Sequence, residues 1–173
     1  MKILYSLLLF SMVLFAHPHT FIDVYPTMIV KDGIAENIRI TWKIDEMTSS
    51  MLIMDVDTNG DGKLDSKESK YIEENYFNIF ADYNFYTYII INGKKIDIPT
   101  PTNFVATIEN YRVCYSFDLK RKYILKDTAF EFGDTDMYTA MVLKDEFVTI
   151  KGGKAVVTGM DNDFYYGYRL EVK

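Results

Sequence analysis

Apolar and polar residues alternate along most of the chain, in short segments separated by turn-forming pairs. At four places such a pair joins two segments, and the pairs are Asp32-Gly33, Asn92-Gly93, Asn110-Tyr111 and Gly152-Gly153. The flanking segments are 20–30 with 34–44, 86–91 with 95–98, 104–109 with 113–119, and 147–150 with 155–158. Alternation with period two and β-branched or aromatic residues indicates strands. Short strands at regular spacing predict a mainly β fold, an antiparallel β-sandwich.

The period changes to that of a helix between the first and second of these strand pairs. Met47, Met51 and Met54 or Asp55 follow helical spacing, and Asp45, Thr48 or Ser49 is available as the helix cap. The segment 66–82 has one apolar helical face, made of Tyr71, Ile72, Tyr76, Ile79 and Phe80. The pattern therefore predicts two helices in an insert at about 46–82. We expect the apolar faces of both helices, including the methionines, to pack on the sheet.

Residues 57–68, which connect the two predicted helices, match a twelve-residue calcium-binding loop at every position. The expected ligands are side-chain oxygens at loop positions 1, 3, 5 and 12, a water-mediated oxygen at position 9 and a backbone carbonyl at position 7. These residues are Asp57, Asn59, Asp61, Glu68, Asp65 and Lys63. Gly62 supplies the sharp bend. The sequence predicts a helix–calcium loop–helix motif (an EF-hand), with a solvated acidic turn as the alternative.

The first sixteen residues have the pattern of a secretory signal peptide. Lys2 is followed by an apolar stretch that ends before Ala16 and is shorter than the ~20 residues that span a bilayer. Cleavage after Ala16 would leave one domain, residues 17–173, in the periplasm or outside the cell, with no stable membrane span. An uncleaved N-terminal anchor is the alternative, because Leu14 is bulkier than the residue usual at its position.

The composition argues against some classes of partner and some classes of reaction. A formal net charge of −6 argues against nucleic acid as a partner. Cys114 is the only cysteine, so no intrachain disulfide can form, and its alternating surroundings indicate a buried, inert thiol. The chain has no Ser-His-acid arrangement with recognisable spacing and no Gly-rich phosphate loop. We therefore expect a protein that is not an enzyme.

The two histidines of the chain lie together, directly after the predicted cleavage site. His17 would carry a free α-amine, and amine and imidazole nitrogens suit Zn²⁺, Ni²⁺, Co²⁺ or Cu²⁺. Because His17 and His19 are too few to close a site, carboxylates must help. The candidates are Asp23, Asp45, Glu46, Asp134 and Asp136. The alternative is that both histidines are ordinary polar residues of a frayed terminus.

An ordered set of motifs resembles a known family. The motifs are His17-Pro18-His19, Phe21-Ile22-Asp23, Thr41-Trp42, Asp45-Glu46, the loop 57–68, Tyr86-Thr87-Tyr88 and Asp134-Thr135 with Tyr138. Together they resemble domain-of-unknown-function family 1007, whose members are bacterial exported proteins often labelled as ABC-transporter substrate-binding proteins. The resemblance implies an accessory to nickel, cobalt or zinc transport with a membrane metal transporter as partner. A single domain cannot form the two closing lobes of a solute-binding protein, so we expect a metal chaperone.

Three functions remain open. The first is an exported metal-binding protein in which calcium stabilises the helical insert and a transition ion binds at the histidines. The second is a calcium-stabilised interaction domain without a transition metal. The third is a copper enzyme with an N-terminal histidine ligand, which is disfavoured because no histidine follows His19. We expect the calcium site to be structural, because extracellular modules bind calcium with a Kd of roughly 10⁻⁴–10⁻³ M.

Overall fold

The computed structural model describes residues 19–161 and 166–173, and the predicted signal peptide and His17 lie outside them. The described residues form eleven strands and two α-helices. The strands are β1 Thr20–Ile29, β2 Ile34–Ile44, β3 Thr87–Ile91, β4 Lys94–Ile96, β5 Thr102–Glu109, β6 Arg112–Ile124, β7 Thr128–Gly133, β8 Thr139–Val142, β9 Thr149–Lys151, β10 Ala155–Asp161 and β11 Tyr166–Val172. The α-helices are α1 Glu46–Val56 and α2 Ser66–Ile72. No helix in these two ranges is long and apolar enough to cross a membrane.

The strands form two sheets, which confirms a mainly β fold. The order is β5-β6-β2-β1-β8 in the first sheet, where β9 also pairs with β1, and β10-β11-β7-β3-β4 in the second. The expectation of purely antiparallel pairing is wrong, because β1 runs parallel to both β8 and β9. β1 is ten residues long, so its beginning pairs with β8 and its end with β9. Long stretches of chain connect β1 to β8 and β9, and parallel pairing of strands requires such long connections.

Three of the four predicted turns join neighbouring antiparallel strands, but Gly152-Gly153 does not. The pairs β1–β2, β3–β4 and β5–β6 are confirmed. β9 belongs to the first sheet and β10 to the second. A Cβ on Gly152, which has φ +86°, would lie 2.2 Å from the carbonyl oxygen of Val30. This glycine therefore allows the chain to pass close to the end of β1 rather than to form a hairpin.

Both sheets contribute to one hydrophobic core, in which Trp42 of β2 is fully buried. The indole contacts four aromatic rings, those of Phe77, Phe80, Tyr86 and Phe117, at centroid distances of 5.3–5.9 Å. Because the rings of Phe77, Phe80 and Tyr86 lie in the helical backbone that continues α2, the helical insert closes one side of the core. Cys114 is also buried, as predicted, and burial raises the pKa of its thiol to about 11.

A buried carboxylate links three strands of the first sheet. Asp118 in β6 accepts hydrogen bonds from the side chains of Asn37, Arg39 and Asn103 at 2.7–3.1 Å. Desolvation by burial opposes ionisation of Asp118, but these hydrogen bonds outweigh it and lower its pKa. The carboxylate therefore stabilises the fold in its charged form.

The helical segment predicted at 66–82 continues beyond α2 and is less regular than an α-helix. Helical backbone continues after Ile72 as one π-helical turn, Glu73–Phe77, and then as a 3₁₀ segment, Asn78–Tyr86, with a kink near its end. A π turn contains an extra residue, so the buried position after Ile72 is Phe77 rather than Tyr76. The predicted apolar face is wrong for Tyr71 and Ile79, which are exposed, whereas Tyr76 and Phe80 are partly buried against the core.

Helix α1 packs on the sheet through the face opposite to the predicted one. Ser49 and Val56 are buried, and Leu52 and Ile53 pack against the core. Met47, Met51 and Met54 are 66%, 58% and 85% exposed. The methionine spacing correctly indicates a helix. It does not indicate packing, because the buried face of α1 is centred half a turn away from the three methionines.

Candidate calcium site

The segment 57–65 connects two helices whose facing ends are both formed by aspartates. Asp57 follows the last residue of α1, and its N–H donates to the carbonyl of Ile53. Asp65 caps α2, and its carboxylate accepts hydrogen bonds from the N–H groups of Lys67 and Glu68 at 2.7 and 2.9 Å. These two bonds are the main reason why the pKa of Asp65 is lowered. The predicted order of helix, loop and helix is therefore present.

The side chains of the first half of the loop bend back over its own backbone. The carboxylate of Asp57 accepts hydrogen bonds from the N–H groups of Gly60, Asp61 and Gly62 at 2.9–3.2 Å. Asn59 and Asp61 each accept one bond from the N–H two residues later, at 2.8 Å. The side-chain oxygens of Asp57, Asn59 and Asp61 are thus held by backbone N–H groups of the loop itself.

Gly62 is required at loop position 6 by its backbone conformation. Its φ is +74°, in the left-handed region that favours glycine, and a Cβ added at this residue would contact nothing within 4 Å. The constraint is therefore conformational strain and not lack of space. An L residue at this position would cost of order 1 kcal/mol or more in backbone strain.

Glu68, the final residue of the loop, joins its two ends. One carboxylate oxygen accepts from the N–H and hydroxyl of Thr58 at 2.9 and 3.0 Å, and the other accepts from the N–H of Asp65 at 3.0 Å. The residue is only 7% exposed, which is unusual for a glutamate. Both oxygens are thus fixed where the two ends of the loop meet.

The donor set of the loop fits a hard cation. Asp57, Asp61, Asp65 and Glu68 place four carboxylates within twelve residues, with an amide oxygen from Asn59. Oxygen donors of this type suit Ca²⁺ rather than a transition ion. Within residues 19–161 and 166–173, however, no three Asp, Glu, His or Cys side chains converge as a group that could hold a metal. The carboxylates instead accept the backbone hydrogen bonds described above.

Each helix of the insert is attached to the first sheet by one serine. In α1, the buried hydroxyl of Ser49 donates to the carbonyl of Ile44 at 3.1 Å and accepts from the N–H of Val113 in β6 at 2.9 Å. In α2, the hydroxyl of Ser69 accepts from the N–H of Ala106 in β5 at 2.9 Å. The sequence did not predict this role for either serine, and Ser49 contacts the sheet rather than capping the helix, because such contacts depend on the strand partners. The loop is therefore rigidly connected to strands β5 and β6.

The predicted transition-metal residues lie near the start of β1. The backbone N–H of His19 donates to the carbonyl of Tyr138 at 2.9 Å, and the centroids of the two side-chain rings are 4.6 Å apart. Asp134, in the same loop as Tyr138, is buried and accepts three backbone N–H bonds, from Asp136, Tyr138 and Thr139. The structure therefore brings His19 close to the loop that contains Asp134 and Asp136.

The other carboxylates proposed to help the histidines have structural partners or are solvent-exposed. Asp45 caps α1 and accepts the N–H of Phe21 at 3.1 Å. Desolvation opposes its ionisation, but these hydrogen bonds outweigh it and lower its pKa. Asp23 forms an ion pair with Arg112 at 2.8 Å, and Glu46 is exposed in the first turn of α1. The transition-metal site stays a prediction.

Arg112 is a structural residue that the sequence analysis did not identify. Besides pairing with Asp23, its guanidinium donates to the carbonyls of Lys43 and Ile44, both at 2.7 Å. It therefore connects β6 to β1 and β2 directly below the start of α1. The three contacts use three different nitrogens of the planar guanidinium, an arrangement that the single nitrogen of a lysine does not offer.

Comparisons with known proteins show relatives of this chain and its family. An uncharacterized 15.5 kDa protein of the trpE 3' region in Spirochaeta aurantia is 35% identical over 113 residues, 61% of this chain and 81% of that protein. An uncharacterized protein of Haemophilus influenzae is 30% identical over 119 residues, 66% of this chain and 56% of that protein. The family described as "Protein of unknown function (DUF1007)" matches residues 3–158. The chain therefore belongs to the DUF1007 family.

Proposed function

We propose that this protein is an exported metal-binding protein in which one calcium ion stabilises an EF-hand inserted into a β-sandwich. Asp57, Asn59, Asp61, Asp65 and Glu68 would supply side-chain oxygens, and Lys63 its carbonyl. The single observation that carries the calcium assignment is Glu68. A buried carboxylate fixed at the junction of both loop ends provides two oriented oxygens for a cation.

The calcium ion has a structural role in this proposal. Four carboxylates in one short loop repel one another, and a divalent cation removes that repulsion. The helices on either side are attached to β5 and β6 through Ser69 and Ser49, so ordering the loop also orders the side of the core that the insert closes. Calcium binding therefore contributes to folding free energy rather than to a signal.

The transition metal is the functional cargo in this proposal. His17 and His19 would hold Zn²⁺, Ni²⁺, Co²⁺ or Cu²⁺, and the protein would act in the periplasm or outside the cell as an accessory or chaperone for a membrane metal transporter. The support is the ligand chemistry of two histidines near one terminus and the position of His19 beside the loop of Asp134.

A second candidate is a calcium-stabilised interaction domain without a transition metal. The specific observation in its favour is that Asp23, Asp45 and Asp134 already accept strong structural hydrogen bonds. These carboxylates therefore have structural roles that do not require a transition metal.

Metal stoichiometry separates the two candidates. Calorimetric titration with Ca²⁺ and then Zn²⁺ should give one equivalent of each for the parent protein. His17→Ala/His19→Ala should lose the Zn²⁺ equivalent and keep the Ca²⁺ equivalent, whereas Glu68→Gln should do the reverse. No Zn²⁺ binding by the parent favours the interaction domain. No Ca²⁺ binding contradicts both candidates.

A further inference from the structure

A cavity of about 270 Å³ lies between the helical insert and the first sheet. Its wall includes six aromatic side chains, those of Trp42, Tyr76, Phe80, Tyr86, Tyr115 and Tyr138. Two lining residues, Ile79 and Tyr138, are 58% and 62% exposed, so the cavity opens to solvent beside them. No residue of the loop 57–68 lines this cavity, which is therefore separate from the proposed calcium site.

One hydrogen-bond donor of the residues that line the cavity is buried without a partner. The indole N–H of Trp42 makes no hydrogen bond within residues 19–161 and 166–173, and the whole residue is buried. The N–H of a buried tryptophan usually has a partner, because an unpaired buried donor costs free energy. A molecule in the cavity that carries a hydrogen-bond acceptor would supply one.

Tyr115 supplies a second donor from the neighbouring strand. It is directly opposite Trp42 in the pairing of β2 with β6, so both side chains project from the same face of the sheet. Tyr115 is 2% exposed, and its hydroxyl makes no hydrogen bond to any residue that the structure describes. Burial alone raises the pKa of this hydroxyl, with no hydrogen bond or charge acting against it. The sheet side of the cavity therefore has two unpartnered donors at adjacent positions.

The rest of the wall favours a neutral ligand. Several other hydroxyl groups of the wall already have partners, and the pairs are Tyr86 with Thr139, Thr48 with Asp45, and Tyr76 with Asp55. Among the described residues that line the cavity, none carries a charge. A carboxylate or ammonium group would therefore be buried here without a counter-charge, which is costly.

We propose that this cavity binds one small, neutral aromatic molecule whose oxygen accepts hydrogen bonds from Trp42 and Tyr115. The aromatic side chains of the wall pack against the ring of the ligand, and a carbonyl oxygen has two lone pairs, one for each donor. An apolar cavity of about 150 Å³ in another protein binds benzene. The larger cavity of this protein has room for a ring with one substituent. The site needs neither calcium nor the histidines as ligands.

The test compares two probes of similar shape: acetophenone, which has a carbonyl oxygen, and isopropylbenzene, which has none. In excess calcium, acetophenone should bind to one saturable site of the parent protein. Tyr115→Phe should weaken acetophenone binding roughly 2- to 12-fold, because one neutral hydrogen bond is lost. The same variant should keep its affinity for isopropylbenzene, which would show that the cavity is intact. Tyr111→Phe, which removes an exposed hydroxyl elsewhere, should leave both affinities unchanged.

A second measurement needs no substitution. The chain contains one tryptophan, so a ¹H–¹⁵N NMR spectrum has one indole N–H resonance, that of Trp42. Acetophenone should move this proton resonance downfield, as a hydrogen bond to the carbonyl requires, and isopropylbenzene should not. Absence of acetophenone binding, an unmoved indole resonance, or no selective loss of acetophenone affinity in Tyr115→Phe would each overturn the proposal. Binding of tetramethylammonium in place of acetophenone would also overturn it, because the aromatic wall would then hold a cation.

Discussion

Removal of calcium should lower the thermal stability of the folded protein by a predictable amount. The site exists only when Asp57 and Glu68 are held together by α1 and α2, so the binding free energy adds to the free energy of unfolding. With a Kd of roughly 10⁻⁴–10⁻³ M, about 10 mM calcium is about 10–100 times Kd and contributes about 1.4–2.7 kcal/mol. At about 2–4 °C per kcal/mol, the Tm should rise by about 3–11 °C.

The assay is thermal unfolding followed by circular dichroism, in chelator, in calcium and in the same concentration of magnesium. Magnesium controls for ionic strength, since it needs a smaller octahedral site. Glu68→Gln is the matched variant, because a glutamine can still serve the capping box at the start of α2 but lacks the second charged oxygen. In chelator, in calcium and in magnesium, the Tm of Glu68→Gln should be close to that of the calcium-free parent. An equal rise in Tm for parent and Glu68→Gln would refute the calcium site.

Three further predictions concern the scaffold. Ser49→Ala leaves the buried backbone N–H of Val113 unpaired and should lower the free energy of unfolding by about 1–3 kcal/mol in urea titrations. The control Ser50→Ala, on the exposed side of the same helix, should change the free energy of unfolding by less than about 0.5 kcal/mol. Equal losses in the two variants would contradict the attachment of α1 through Ser49. Because the pKa of Asp118 is lower in the folded protein than in the unfolded chain, its contribution is complete above about pH 3.9 and is lost as the pH falls through the folded value. The Tm of Asp118→Asn should therefore decrease less than that of the parent between about pH 5 and pH 2. An equal decrease in both proteins would argue against stabilisation by the charged carboxylate of Asp118. Cys114, whose thiol pKa is raised to about 11, should resist a thiol reagent at neutral pH until denaturant is added; rapid labelling of the native protein would contradict its burial.

The features that the sequence predicted correctly depend on local chemistry. Left-handed residues in a tight turn are favourable for Gly, Asn and Asp, so Asp32-Gly33 and Asn92-Gly93 could be recognised as hairpin turns. The aspartate that caps α2 also depends on its immediate neighbours. In each case the residue types and their spacing are sufficient, because the interacting groups are within a few positions of one another.

The features that the sequence did not predict depend on distant partners. A helical period shows that α1 has an apolar side, but only the position of Val113 in β6 makes the side of Ser49 the buried one. Likewise, β7 and β11 are ordinary short segments in the sequence. They become central strands only because β3 and β10 pair with them. The π turn after α2 is also set by packing, since it rotates Phe77 towards Trp42.

The parallel pairing of β1 has a consequence for how the chain folds. The partners of Thr20 and Thr27 are Thr139 and Thr149, more than a hundred residues further along the chain. When the protein is made from its N-terminus, the hairpin of β1 and β2 is complete long before β8 and β9 exist. Until β8 and β9 are made, the backbone N–H and C=O groups along one edge of β1 stay unpaired. Such an edge can pair with a strand of another chain and cause aggregation. Contacts this distant place the protein among slowly folding β domains, with refolding in milliseconds to seconds.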